Sequence, residues 1–165
     1  MNSFTCVSLS PIELNHPSLA VATTRSGGIG ILDREFCSDR DLDKATRNLD
    51  KLIELVDELA VVGLRLRVEQ IASSQILLNR LGARPHWIIL CGWTPQSLEE
   101  TIATLPASSS RKLLLEVTDI EQALALSPLV QKGQGGVDGL IAKGHESGGW
   151  VGEDSAFVLT QKLLE

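Results

Sequence analysis

The chain has 165 residues, 43% of them hydrophobic, with a mean hydropathy of +0.10 and a formal net charge of −6. That length supports one substantial core but falls short of the roughly 250 residues of a complete eight-unit α/β barrel, and the composition excludes a disordered tail. The acidic balance and the lack of a Lys/Arg cluster in the sequence argue against a general nucleic-acid binder.

No apolar run reaches the roughly 18 residues of a membrane span. Residues 1–11 lack a basic stretch followed by a signal-type hydrophobic core, so a cytoplasmic location without membrane contact is expected. Cys6, Cys37 and Cys91 are odd in number and widely spaced, which points to free thiols rather than disulfides or a metal site.

The first β-favouring run is Phe4 to Leu9, closed by Ser10-Pro11. Pro17 to Arg25 reads as a short helix stopped by Gly27-Gly28, and Ile29 to Leu32 as a second strand. After the polar loop Asp33 to Arg40, a helix is predicted from Leu42 to Ala60. Its apolar stripe is Leu49, Leu52, Ile53, Val56 and Leu59, and Asp39, Asp41 and Asp43 serve as caps at its start.

Val61 to Val68 forms the third strand, with Arg65 and Arg67 on one side and Leu64, Leu66 and Val68 on the other. A charge on a buried strand needs a partner, so salt bridges to Asp or Glu are favoured over contact with an acidic substrate. Glu69 to Leu81 is a helix closed by Gly82, and Pro85 to Gly92 a strongly apolar fourth strand. Thr94 caps a helix reaching Leu105, with Pro95 in its first turn. Lys112 to Val117 is the fifth strand, Asp119 to about Leu129 a helix, and Gln131 to Gly136 a connection. The sixth strand ends at Leu140 to Ala142, and an amphipathic helix from Asp154 to Leu164 ends the chain.

Six βα units follow from this alternation, and the predicted architecture is an incomplete TIM barrel comprising its first six units. An open doubly wound sheet is the alternative, but Gly27-Gly28-Ile29-Gly30 precedes the second strand and lacks the context of a dinucleotide turn. Without further units, the first and sixth strands leave open edges for another segment or a second copy to cover. The 165 residues are expected to be a partial domain of a longer polypeptide.

The densest chemistry lies between Gly136 and Glu153, where an apolar run gives way to a loop that interleaves glycines with ionisable groups. Loops at the carboxyl ends of parallel strands are the usual ligand sites of such folds. Gly144-His145-Glu146-Ser147-Gly148-Gly149-Trp150-Val151-Gly152 resembles the GxEAGGHxG signature of the nitronate monooxygenase (2-nitropropane dioxygenase) family, which includes FMN-dependent enoyl reductases. Residues 19–32, LAVATTRSGGIGIL, resemble that family's LAAAVSNAGGLGVI stretch, and similar domains occur at the start of polyketide-synthase-like chains.

The resemblance implies FMN at the carboxyl rim, with Gly27, Gly28, Gly148, Gly149 and Trp150 on the cofactor side and an acyl or nitronate substrate. Trp150 stands where oxidising members carry histidine, and an indole N–H cannot act as a general base at neutral pH. His145 and Glu146 are the remaining acid–base candidates, against the plainer role of a solvent-facing loop pair. Lys143 is read as attracting an anion or aiding solubility, and Glu153 and Asp154 as caps. Two functions follow: an FMN-associated oxidoreductase domain serving a polyketide synthase, or a noncatalytic scaffold or docking domain of a megasynthase.

Overall fold

The computed structural model describes residues 5–14, 16–106, 108–126, 136–149 and 151–164. Six strands, β1 (Val7–Pro11), β2 (Ile29–Asp33), β3 (Val62–Arg67), β4 (His86–Cys91), β5 (Arg111–Val117) and β6 (Gly139–Ala142), form one sheet. Their order is β1-β2-β3-β4-β5-β6 and every pairing is parallel. A doubly wound sheet would reverse its strand order at a switch point. This one never does, so it is an open, curled barrel of six βα units.

The helices are α1 (Ser18–Arg25), α2 (Leu42–Leu55), α3 (Gln75–Leu81), α4 (Pro95–Thr104), α5 (Ile120–Leu124) and α6 (Ala156–Leu164). Pleating divides the strand residues between two faces. Leu32, Val62, Leu64, Leu66, Ile88, Leu90, Leu113, Leu115 and Val117 face the helices and build the main core with Leu49, Leu52, Leu77 and Leu98. Ile29, Ile31 and Ile89 point to the concave side and cluster with Trp87, Leu114 and Ile141.

Three elements depart from the sequence prediction. Helix α2 stops at Leu55 rather than Ala60, because Arg25 Nε donates to the Leu55 carbonyl at 2.9 Å and Asp57 starts a turn by accepting from Leu59 N. Leu59 therefore leaves the apolar stripe and is 81% exposed. The expected helix from Glu69 breaks into a 3-10 turn, Val68–Gln70, and α3. Gln70 ties the break by accepting from Arg67 N and donating to the carbonyls of Arg34 and Cys37. Helix α5 ends at Leu124 and passes into a turn at Ala125 and Leu126; the remainder of its predicted span and of the connection, residues 127–135, lies outside the described residues.

Among the described residues β1 pairs only with β2 and β6 only with β5. By register, Val7 and Leu9 share the concave face with Ile29 and Ile31, yet both are substantially exposed because no strand stands beyond β1 to close the barrel over them. No helix among the described residues is long and apolar enough to cross a membrane.

Candidate functional site at the carboxyl rim

Arg65 lies near the carboxyl end of β3, turned inward by strand alternation and almost fully buried. Its guanidinium grips Glu116 of β5 in two parallel bonds, Nε to Oε1 and Nη2 to Oε2, both 2.7 Å. Nη1 reaches Asp33, at the end of β2, at 3.0 Å and Glu35, in the following loop, at 2.5 Å. Lys143 follows β6 and approaches Glu116 Oε2 at 3.5 Å. The ends of β2, β3, β5 and β6 thus contribute to one ionic layer above the apolar interior.

Paired, charge-assisted bonds of this kind are strong only when the remaining valences are also satisfied. Burial works against the Arg65 charge, but bonds from Glu116 and Glu35 outweigh it and hold its pKa above the ordinary arginine value. Burial raises the Asp33 carboxyl above its usual range, and the bonds from Glu35 N and Arg65 offset this only in part. The prediction of salt-bridged arginines is met: Arg65 in this layer, Arg67 with Glu69 at the surface.

Above the layer opens a cleft of about 380 Å³, lined by Glu35, Phe36, Arg67, Trp93, Thr118 and Asp119 among others. Trp93 is buried and donates its indole N–H to the Glu116 carbonyl at 2.8 Å. Asp119 caps α5 by accepting from Gln122 N at 2.7 Å. Cys91 also lines the cleft, but burial pushes its thiol up to about 12, which removes the thiolate at neutral pH.

The glycine loop after β6 packs beside this cleft. Gly149 has φ +85° and sits so close to Glu35 that a Cβ would overlap the carboxylate, and Gly152 packs as tightly on the Thr118 carbonyl. The loop therefore reaches from β6 to the segments following β2 and β5. Only residues without side chains permit both approaches.

Gly27 and Gly28 lie elsewhere. They precede β2, whereas Gly148 and Gly149 follow β6, and in a parallel sheet those positions are opposite rims. Gly27 has φ +82° in the turn that ends α1, and Gly28 packs against the Cys6 carbonyl and Thr23. The structure does not bring the two glycine pairs together.

His145 is largely exposed, with Nδ1 3.9 Å from Glu146 Oε2. Glu146 Oε1 accepts from Ala156 N at 2.8 Å, and its carboxyl is held below its usual range by backbone N–H groups, its own and that of Ala156. Glu146 thus takes up the first N–H of α6, Ser155 Oγ accepts from Val158 N at 3.2 Å in the capping role predicted for Glu153 or Asp154, and Asp154 pairs with Lys162 at 2.6 Å. Trp150 lies outside the described residues. No cluster of three metal-ligating side chains occurs among the described residues.

Sequence reasoning missed Asp33, Glu35 and Glu116 as a group and undervalued Lys143. The signal was present: each is a charge at or just beyond the carboxyl end of an apolar strand, the rim where such folds place their chemistry. Fold and site together define an open α/β barrel with a ligand-sized cleft at its carboxyl rim. No family model, curated protein or solved structure matches the chain.

Proposed function

We propose that the chain is a flavin-barrel domain of the nitronate monooxygenase type, acting as part of a longer oxidoreductase or polyketide-synthase-associated polypeptide. One observation carries this reading: the late glycine loop, source of the later family resemblance, packs Gly149 against Glu35 and Gly152 against Thr118, two residues that line the carboxyl-rim cleft. The cleft volume lies toward the lower end of the range of about 300–1,000 Å³ typical of small-molecule sites. Gly149 abuts Glu35 at its edge, Gly92 with φ +64° brings backbone to it from the end of β4, and Trp93 and Phe36 supply apolar wall.

These residues fit a flat ring system better than a phosphate. Among the described residues, Glu35, Glu116 and Asp119 line the cleft against a single lining cation, Arg67. A dianionic group needs converging donors of the opposite sign. The phosphate-binding part of the site therefore belongs to further βα units of the longer polypeptide. A bound flavin would supply the redox chemistry, with the chain positioning its ring and excluding water. Flavin enoyl reduction suits the site better than nitronate oxidation, because Glu146 is engaged as a helix cap and Trp150 offers no base.

Titration with riboflavin and FMN, followed by flavin fluorescence, tests the reading. The 165-residue chain should bind both weakly and within about twofold of one another, and the longer polypeptide should prefer FMN. Failure of both chains to bind either flavin overturns it. That result would favour the second reading, a noncatalytic docking domain of a megasynthase, whose supporting observation is the exposure of Val7 and Leu9 at an unpaired sheet edge.

A further inference from the structure

Helix α2 carries Lys44, Arg47 and Lys51 at steps of three and four, so all three project from one face. They line a surface depression of about 330 Å³ together with Asn48. In a chain of net charge −6 this is a local reversal of sign. Among the described residues none of the three has an ion-pair partner, although α2 also carries Asp43, Asp50 and Glu54. Asp50 is instead turned to Arg80 of α3. Arg47 and Lys51, two cations at i,i+4, disfavour the helix, and Asp43, four residues before Arg47, offsets this.

A second feature is fixed beside the stripe. Asn48, buried, donates to the carbonyls of Ile12 at 3.2 Å and Leu14 at 2.9 Å, and Lys44 Nζ donates to the Glu13 carbonyl. The loop after β1 is thereby stapled to α2, and it holds Leu14 in place with 53% of its surface exposed. Leu14 thus gives the basic stripe an apolar neighbour held in a fixed position, an arrangement that a polar-rimmed interface can use.

We propose that this face of α2, with Leu14, docks a protein partner that presents an acidic helix. From Lys44 to Lys51 the stripe runs about 10 Å along the helix axis, which matches carboxylates spaced over two turns of a facing helix. A compact anion fits less well, because the amide donors of Asn48 are already engaged by the loop carbonyls and do not converge on the depression. Opposite charge steers the encounter, and burial of Leu14 fixes the register. The docking face is on the helical layer outside the barrel, so it does not depend on flavin binding.

The test uses a synthetic helical peptide with Glu at i, i+3 and i+7 beside a Leu stripe, together with its Lys-for-Glu counterpart, titrated into the isotope-labelled chain. The Glu peptide should shift the amide resonances of Leu14 and of residues 44–51, weaken at higher salt, and lose about tenfold in affinity in R47E/K51E. Leu14→Ala, which alters no charge, should weaken binding about fivefold, and the Lys peptide should not bind. The proposal is overturned if Leu14→Ala binds as the wild type does, if no shift appears, or if inorganic pyrophosphate reproduces the shifts and displaces the peptide. Self-association abolished by R47E/K51E would also overturn it, by making a second copy the occupant.

Discussion

Replacing Arg65 with methionine removes a group that touches Asp33, Glu35 and Glu116 together. Asp33, Glu35 and Glu116 would then lose their shared cation, and Glu116 would keep only the longer contact to Lys143, at 3.5 Å, among its ion pairs in the described residues. Removing one partner from a buried ion pair costs about 3–5 kcal/mol, mostly through the charge left behind. At about 2–4 °C per kcal/mol for a chain of this size, the melting temperature should fall by about 10 °C. Glu116→Gln leaves Arg65 its bonds to Asp33 and Glu35 and keeps an uncharged acceptor beside Arg65 and Lys143, so it should cost less, about 1–3 kcal/mol. Urea unfolding of both variants near neutral pH measures the order. The methionine variant should also regain ground as pH falls: without Arg65 the folded state takes up protons on its carboxylates more readily than the unfolded chain, so acidification favours folding. An R65M variant within about 1 kcal/mol of wild type, or a larger loss in E116Q, would refute the claim that this arginine holds the rim together.

Gly149→Ala places a Cβ against Glu35 at a positive φ, and should destabilise by more than about 1 kcal/mol and weaken riboflavin binding in the same fluorescence titration. Gly27→Ala meets no neighbouring atom, so it should show only the backbone cost and leave flavin affinity unchanged from its place on the other rim. Burial lowers the His86 pKa from 6.5, with Arg111 adding to the shift. In the window below 6.5 the unfolded chain therefore binds the extra proton, and stability should rise with pH there; His86→Gln should flatten that slope in urea titrations across the window. Glu146→Ala should cost about 0.5–2 kcal/mol of thermal stability through the lost cap of α6, whereas His145→Gln should leave stability unchanged.

Local signals in the chain determined the succession of six βα units. Apolar runs such as Trp87 to Cys91, the stripe of Leu49 and Leu52, and the Thr94-Pro95 start of α4 all act within a few residues, where pattern and capping chemistry decide. The alternation of Arg65 and Arg67 against Leu64 and Leu66 likewise told which side of β3 was charged. The end of α2 was not legible in the same way, because it is set by Arg25, thirty residues earlier in the chain.

The composition of the site was decided only by the tertiary structure. Asp33, Arg65 and Glu116 are spread over 84 positions of sequence, and become neighbours because parallel pairing brings successive strand ends to one rim. The same geometry separates Gly27 and Gly28 from Gly148 and Gly149: a motif before a strand and a motif after one look alike in sequence but fall at opposite ends of a parallel sheet. Glu146, promising as an acid beside His145, is claimed by the N–H of Ala156, ten residues away, because the loop folds back on the helix that follows it. Sequence pattern fixes which face a side chain takes; which distant groups share that face depends on strand order and register.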